Sequence, residues 1–212
     1  MVKKNFKTLI ITSIIALLPC IAGIYLWDKL PEQMPMHFDI NGNADGYASK
    51  AFAVFGFPVF MAALQWATAF LSDLDPKTKK NSKKTTAMVL WIIPSLSILL
   101  HTIIYAYSLG KEFNVTTPII LFFGLFFVVT GNYLPKMSQS YTVGIKFSWT
   151  LKSKENWNYT HRISGKIWVA GGILLIATAF LNLGWLYLAI FAIMIAVPVI
   201  ASYRFHKKEN KQ

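Results

Sequence analysis

The stretch IWVAGGILLIATAFLNLGWLYLAIFAIMIAVPVIASY, residues 167–203, contains no charged side chain. As one α-helix it would extend about 55 Å at a rise of about 1.5 Å per residue, whereas the hydrocarbon layer of a bilayer is roughly 30 Å thick. The segment must therefore fold back on itself. Asn182-Leu183-Gly184 is the natural place, since Asn and Gly favour turns. We predict two membrane spans joined there.

Four further stretches lack charged side chains: 8–27, 51–72, 85–110 and 113–135. Each is close to the roughly 20 apolar residues that one helix needs to cross a bilayer. Hydrophobic residues make up 55% of the chain and its mean hydropathy is +0.46, which favours a membrane protein. The predicted fold is an all-α integral membrane protein, a six-helix transmembrane bundle with a small extracytoplasmic loop and a long cytoplasmic loop between spans 4 and 5.

The predicted segments follow from these runs and from the charges between them. We expect a cytoplasmic N-terminus with an uncleaved span 1 at 1–27, an extracytoplasmic loop at 28–50, span 2 at 51–72, a basic cytoplasmic loop at 73–86, span 3 at 87–109, an outer loop at 110–115, span 4 at 116–134, a cytoplasmic loop at 135–162, span 5 at 163–181, an outer turn at 182–184, span 6 at 185–203 and a cytoplasmic tail at 204–212.

Basic residues fix the predicted orientation. Only Lys29, Lys50 and Lys111 fall in predicted outer segments, which leaves 18 of the 21 Lys and Arg residues on the inner side. This bias predicts that both termini are cytoplasmic. A net charge of +12 would suggest nucleic acid as the partner of a soluble protein. Anionic lipid headgroups account for it here, so we expect the lipid bilayer as a partner and no direct binding of nucleic acid.

The predicted extracytoplasmic loop, DKLPEQMPMHFDINGNADGYASK (28–50), is too patterned to be a simple link. Met36 to Ile40 alternates in polarity as a strand does, and Asn41-Gly42 and Asp45-Gly46 are turn signals. This pattern predicts a short hairpin that lies over the outer mouth of the bundle. The loop carries four acidic residues against two lysines, so its surface is mildly anionic.

Four side chains of this loop, at Asp39, Asn41, Asn43 and Asp45, have the spacing of calcium ligands. An EF-hand would need Gly and Glu where Ala44 and Lys50 stand. The competing interpretation is that these side chains accept hydrogen bonds from nearby backbone amides and so cap turns. We expect no metal site.

The predicted cytoplasmic segment, GNYLPKMSQSYTVGIKFSWTLKSKENWNYTHRISGK (131–166), mixes tryptophans with lysines. Trp149, Leu151 and Trp157 suggest a segment at the inner membrane surface with rings at headgroup depth. Thr160 is the expected N-cap of the fifth span.

The two loops together resemble the bacterial SdpI family of membrane immunity proteins, whose N-terminal loop forms a small domain. The outer string is LP..MP.HF..NG..DGY.SK, and the inner strings are GN.LPK, GI...WTL and W..THR..GK. The resemblance covers residues 5–60 and 125–185. In the inner pattern, which reads close to N...GIRTPWTL in the family, Ser140 stands at the Asn position, Lys146 at the Arg position, and Phe147-Ser148 replaces Thr-Pro.

The resemblance implies protection against an external, membrane-active toxin peptide of the sporulation-delaying type. For the founding member it also implies a sensor that recruits a cytoplasmic transcriptional repressor. The predicted toxin-binding residues of the outer loop are His37, Phe38, Asp39, Gly42, Asp45 and Gly46. The predicted partner-binding residues of the cytoplasmic side are Lys136, Lys146, Trp149, Trp157, His161 and Arg162.

Polar residues inside the spans are few, and Gln65 and His101 stand out. Ser97, His101 and Tyr105 are four residues apart and share one face of span 3. Either these groups form a binding or proton-sensing site, or they hydrogen-bond between helices and hold the bundle together.

Two other functional classes remain open. A small-molecule or peptide transporter would also give protection, although no internal repeat or intramembrane charge supports one. An intramembrane enzyme lacks HExxH, GxSxG and a Gly-rich phosphate loop. His37 with Asp39 is the single acid-base pair outside, and no nucleophile accompanies it. We therefore predict no enzyme, no catalytic residue and no cofactor.

Overall fold

A computed structural model describes residues 2, 5–39, 41–76 and 83–210, without the side chains of 83 and 84. Ile40 and the basic residues Lys77, Lys79 and Lys80 of the predicted inner loop lie outside the described residues. Helices form most of the described chain: α1 Phe6–Tyr25, α2 Phe57–Leu74, α3 Lys83–Ser108, α4 Thr116–Tyr133, the short α5 Ser148–Lys152, α6 Lys154–Thr178 and α7 Gly184–Glu209. The strands are β1 Gln33–Phe38 and β2 Ala44–Ser49.

Five helices among the described residues are long and apolar enough to cross a membrane. They are Phe6–Tyr25, Phe52–Leu74, Thr85–Ser108, Thr116–Lys136 and Gly184–Glu209. Helix α6, the predicted fifth span, is not one of them. Its first half carries Lys154, Glu155, His161, Arg162 and Lys166, which dilute its apolar character. The multi-pass helical architecture is confirmed, and the count of six spans stays a prediction.

Helix α6 begins at Lys154, nine residues before residue 163, where span 5 is predicted to begin. Ser153 is its N-cap, because the Ser153 hydroxyl accepts a hydrogen bond from the Asn156 backbone amide at 3.0 Å. The prediction that Thr160 caps this helix is wrong. Thr160 lies inside the helix, fully buried, and its hydroxyl donates to Ser202 on α7 at 2.7 Å. The helix ends at Thr178, and Asn182 has a positive φ of 53° in the break before α7.

The chain divides into two compact units, Met1–Asp73 with Thr86–Pro118, and Leu74–Thr85 with Ile119–Gln212. The first unit contains α1, the hairpin, α2 and most of α3, with a core at the foot of the hairpin formed by Leu30, Met34, Ala53, Val54, Ile104 and Tyr105. The second contains most of α4 and all of α5, α6 and α7, with a core formed by Ile120, Leu175, Ala179, Tyr187, Ile190 and Met194.

The predicted hairpin is confirmed in the first unit. Strands β1 and β2 pair antiparallel, from Gln33 opposite Ser49 to Phe38 opposite Ala44. The register is irregular on either side of His37, which lies opposite Gly46. A Cβ at position 46 would lie 2.9 Å from the His37 Cβ. Gly46 therefore allows the two strands to approach at the irregularity.

In the second unit, α4 and α6 pack through glycines that the sequence analysis did not single out. A Cβ on Gly172 would lie 2.5 Å from the carbonyl oxygen of Gly124, and one on Gly165 would lie 2.7 Å from that of Gly131. Both pairs are seven residues apart on their helices, so they repeat along one seam. Small residues let membrane helices approach closely.

Polar side chains inside the first unit mostly join helices. Gln65 on α2 donates to the Thr12 hydroxyl at 2.7 Å and to the Leu90 carbonyl at 2.8 Å. Ser97 and Tyr105 on α3 donate to backbone carbonyls of α1 at 2.9 Å each. These contacts agree with the interpretation that the polar side chains hydrogen-bond between helices and hold the bundle together.

His101 differs from these side chains. Its Nδ1 donates to the Ser97 carbonyl at 2.7 Å. Its Nε2 is buried and, within the described residues, meets no partner in hydrogen-bond geometry, although it faces the backbone of Ala53 in the π-helical turn Phe52–Gly56.

Candidate functional site: the hairpin segment and the connecting segment

Two segments carry the predicted site residues. We call residues 28–50 the hairpin segment and residues 134–153, between α4 and α6, the connecting segment. Each lies within one of the two compact units.

His37 is paired across the hairpin with Asp45. The His37 Nδ1 and the Asp45 Oδ1 are 2.5 Å apart, and both side chains are well exposed. The predicted pairing of His37 with Asp39 is wrong. The irregular register beside His37 directs its ring to the opposite strand, while the Asp39 carboxylate is occupied in the turn. Among the described residues, neither side chain of this pair hydrogen-bonds to a hydroxyl or thiol group.

Asp39 organises the turn between the strands. One carboxylate oxygen accepts from the backbone amides of Asn41 and Asn43 at 2.8 Å each, and the other accepts from the Asn43 side chain at 3.1 Å. These hydrogen bonds, that of the Asn43 amide above all, lower the pKa of Asp39. Gly42 completes the turn with φ +87°. The contacts are those of the turn-capping interpretation rather than of a calcium loop.

Lys50 anchors the base of the hairpin. Its side chain is only 9% exposed, and its ammonium pairs with Glu32 at 2.8 Å. It also donates to the backbone carbonyls of Leu30 at 3.1 Å and Trp27 at 3.4 Å, and lies 4.9 Å from the centre of the Trp27 ring. The sequence alone indicates only that Lys50 is an outer charge. Its position directly after β2 was the signal available.

Replacing Lys50 by Met should loosen the hairpin. Met fills a similar volume but removes the Lys50 donor from the Leu30 carbonyl, while the Trp27 carbonyl keeps the Leu30 amide as a donor. A buried polar group that loses its partner costs about 1–3 kcal/mol. We expect faster amide hydrogen exchange in β1 and β2. Lys29→Met, at an exposed neighbour, is the matched control and should leave exchange unchanged. Equal exchange in the two variants would contradict the anchoring role.

The remaining hairpin residues divide by exposure. Phe38 packs edge-on against Tyr107, with ring centres 5.1 Å apart. Gly42 allows the positive φ of the turn, and Gly46 allows the close approach of the two strands. Tyr47, which the sequence analysis did not single out, projects from β2 with 58% of its surface exposed. Its place between Gly46 and Ala48 in an alternating strand was a detectable signal.

In the connecting segment, the carboxylate of Asp75 binds the turn at residues 140–142. Its Oδ2 accepts from the Ser140 hydroxyl at 2.6 Å, the Tyr141 amide at 2.8 Å, and the Thr142 hydroxyl and amide at 3.1 and 3.2 Å. Asp75 is 4% exposed. A buried carboxylate with this set of donors fixes the turn in place.

Ser140 and Lys146 replace the Asn and Arg of the family pattern and have local structural roles. The Ser140 hydroxyl accepts from the amides of Thr142 and Val143 at 3.1 Å each, as a short polar side chain does in a turn. The Lys146 ammonium donates to the carbonyls of Tyr141 and Thr142 at 3.2 and 3.1 Å. Neither contact requires the planar geometry of Arg or the amide of Asn.

Trp157 and His161 form the support on which the segment folds. Their rings stack with centres 4.0 Å apart. The His161 Nδ1 donates to the Trp157 carbonyl at 2.9 Å, and its Nε2 accepts from the Ile145 amide at 3.1 Å. A Cβ at Gly144 would lie 2.7 Å from both rings, and the φ of Gly144 is +118°. Gly144 is therefore required both by space and by backbone conformation.

The six predicted partner-binding residues are not equally accessible. Lys136, Lys146 and Arg162 are exposed, and Trp149 is partly buried. The Trp149 indole stacks with Phe147 at 5.0 Å and with His206 at 5.8 Å, and donates to Ser202 at 2.9 Å. Trp157 and His161 are 0% and 1% exposed. The Trp157 ring is therefore not exposed to solvent or lipid, and its indole donates to the Met137 carbonyl at 3.0 Å.

Burial lowers the pKa of His161 from 6.5 to about 4. The neutral ring is required, since Nε2 accepts a hydrogen bond. The stabilisation is fully present above pH 6.5 and is lost as the pH falls towards 4, because the unfolded chain then binds the extra proton. The contribution of this pKa shift to the free energy of unfolding is of order 3 kcal/mol.

We therefore expect the unfolding temperature of the detergent-solubilised protein to drop between pH 6.5 and 4. His161→Gln should flatten that dependence, and His206→Gln, at a more exposed histidine, should not. A wild-type profile that is level over this interval would contradict the assignment.

Both segments lie in regions of the chain that are similar to known proteins. Residues 136–202 match the SdpI/YfhL protein family, and residues 14–62 match a domain of unknown function, DUF1648. The protein named Immunity protein SdpI of Bacillus subtilis (strain 168) is 29% identical over 214 residues, covering 98% of this chain and 98% of that protein. No solved structure matches the chain.

The two matched regions contain the structures described above. The first includes most of the connecting segment with Trp157 and His161, and the second includes the hairpin segment with Lys50. The similarity to the Bacillus subtilis protein extends along nearly the whole chain, so it includes both segments. The chain is therefore similar to the SdpI/YfhL protein family over residues 136–202 and to a protein named for immunity over nearly its whole length.

Proposed function

We propose that this chain is a bacterial membrane immunity protein, which protects the cell from an extracellular, membrane-active toxin peptide. The observation that supports this most is its similarity, over 98% of both chains, to a protein named for immunity. Five helices apolar enough to span a membrane support the location. A hydrophobic peptide partitions into lipid, where a membrane protein can meet it.

The proposed topology has six spans with both termini in the cytoplasm. The glycine pairs support α6 as the fifth span, because Gly165 and Gly172 contact the part of α4 between Gly124 and Gly131. Those residues lie well inside the apolar helix Thr116–Lys136. A helix that packs against this part of a span shares its depth in the bilayer. The excess of basic residues in the proposed inner segments supports the orientation.

The toxin-binding surface proposed here is the exposed side of the hairpin segment. His37 and Asp45 present a polar pair, and Tyr47 adds an exposed aromatic ring. The Lys50 anchor keeps this surface rigid, which reduces the entropy lost on binding. Phe38, Asp39, Gly42 and Gly46 shape the hairpin rather than present side chains to a ligand.

A second proposed role is the recruitment of a cytoplasmic repressor. The surface available to it consists of the exposed cations Lys136, Lys146 and Arg162, with the edge of Trp149. Trp157 and His161 support this surface from below. An acidic patch on the repressor would complement it.

The direct test is survival of a sensitive bacterium that expresses the chain and is challenged with a sporulation-delaying-type killing peptide. We expect survival with intact peptide recovered outside the cells. Recovery of degraded peptide would instead identify an enzyme, and uptake followed by energy-dependent efflux would identify a transporter.

Variants separate the two surfaces. The triple change His37→Ala, Asp45→Ala and Tyr47→Ala should abolish protection at normal membrane abundance, whereas Lys111→Ala should not. The double change Lys146→Ala and Arg162→Ala should leave protection intact. Loss of protection in that double variant, at normal abundance, would contradict the division of roles.

A further inference from the structure

A cavity of about 390 Å³ opens beside the end of α4, between residues 135–139 of the connecting segment and the first turns of α6, where Lys154 and Asn158 line it. It is distinct from the Asp75 turn and from the stacked rings of Trp157 and His161. All of its lining residues belong to the second compact unit.

The walls of the cavity are held by hydrogen bonds from behind. The Trp157 indole donates to the Met137 carbonyl at 3.0 Å. The Gln139 amide donates to the carbonyls of Thr150 and Leu151 at 2.8 and 3.0 Å. Both Trp157 and Met137 are buried. These hydrogen bonds hold residues 137–139, which form one wall of the cavity, in position.

The charge of the lining has one sign. Lys136 and Lys154 are its two charged side chains, one on each wall. The Lys136 ammonium lies 5.4 Å from the centre of the Tyr133 ring. Within the described part of the chain, the ion pairs are those of His37 with Asp45 and Lys50 with Glu32, so neither cavity lysine is paired with a carboxylate. Two like charges at one cavity favour an anion between them.

The position of the cavity indicates where that anion comes from. Lys136 is the last residue of the apolar helix Thr116–Lys136, so in the bilayer it lies at the boundary between hydrocarbon and water. Lipid phosphates lie at that depth, and cations near the surface attract anionic lipids. Asn158, which is exposed, adds an amide donor to the same cavity.

We propose that this cavity binds the phosphate of an anionic phospholipid headgroup between Lys136 and Lys154. The single negative charge of the bound phosphodiester is shared between the two ammonium groups and reduces the repulsion between them. The bound lipid also ties the start of α6 to the end of α4 at the membrane surface. This site is independent of the toxin-binding role.

The test uses the full chain, stripped of lipid in detergent and titrated with phosphatidylglycerol or phosphatidylcholine. Bound lipid is counted by native mass spectrometry. We expect retention of phosphatidylglycerol over phosphatidylcholine by about tenfold or more, given two cation contacts. The double variant Lys136→Gln with Lys154→Gln should lose this preference. The matched control, Lys152→Gln with Lys208→Gln, removes the same charge at exposed positions outside the cavity and should keep it.

Three results would overturn the proposal. Equal loss in both double variants would mean that surface charge, rather than the cavity, retains the lipid. Equal retention of phosphatidylglycerol and phosphatidylcholine by the wild-type chain would show that the cavity does not select an anionic lipid. Inorganic phosphate that displaces phosphatidylglycerol at equal concentration would show that a soluble phosphate compound is the ligand. Gel filtration should show that the Lys136→Gln, Lys154→Gln variant is folded and monodisperse. A loss of the lipid preference then reports on binding.

Discussion

Replacing Gly172 by Ala is expected to separate α4 from α6 and to destabilise the second unit. The new Cβ would lie 2.5 Å from the Gly124 carbonyl oxygen and 2.9 Å from the Val128 amide nitrogen. These are backbone atoms, which can move only if the helices move apart. Overpacking of this kind costs typically 1–3 kcal/mol, and loss of the close seam removes further contacts.

Gly171→Ala is the matched control for this prediction. It makes the same change one position away, and its Cβ would meet the flexible side chain of Met194 rather than backbone. Thermal unfolding in detergent should show a clear fall for Gly172→Ala and a smaller one for Gly171→Ala. A larger fall for the control would contradict the seam.

Replacing Asp75 by Ala is expected to release the turn at residues 140–142. The Ser140 hydroxyl and the amides of Tyr141 and Thr142 would lose their shared acceptor in a buried site. Hydrogen bonds to a charged group contribute about 1.5–3 kcal/mol. We expect a decrease in the free energy of unfolding of about 3 kcal/mol or more, measured by denaturant titration in detergent micelles.

Asp73→Ala is the control for Asp75. Asp73 is exposed and accepts a hydrogen bond from the Val2 amide at 2.9 Å, so its loss should cost less than about 1 kcal/mol. Amide exchange at residues 140–146 should increase in Asp75→Ala alone. Unchanged exchange there would show that the carboxylate does not hold the turn.

Hydropathy predicted the helices well and their ends less well. The uncharged runs correspond to α1, α2, α3, α4 and α7, because burial in lipid requires long apolar helices with internally paired backbones. Helix α6 begins nine residues before the predicted start of span 5 at residue 163. Its polar first turns are stabilised by contacts inside the second unit, such as Thr160 with Ser202. Hydropathy does not detect such tertiary contacts.

The motifs singled out residues of both segments, but they did not reveal the structural roles of several of them. The pattern placed Trp157 and His161 on a binding surface, whereas both are buried supports of the connecting segment. Asp75 lies 65 residues before Ser140, and a single sequence does not reveal contacts over such a separation. The hairpin was predictable because turn chemistry is local, yet the pairing of His37 with Asp45 depends on an irregular register.

Thiol labelling of intact cells tests the central claim, that the two segments lie on opposite sides of the membrane and that α6 crosses it. Three single cysteines, Asn41→Cys, Lys152→Cys and Leu181→Cys, are introduced at exposed positions in a Cys20→Ala background, since Cys20 is the single native cysteine. A membrane-impermeant reagent should label positions 41 and 181 in intact cells, and position 152 only after permeabilisation. Labelling of 152 from outside with 41 protected would invert the topology, and protection of 181 together with 152 would show that α6 does not cross.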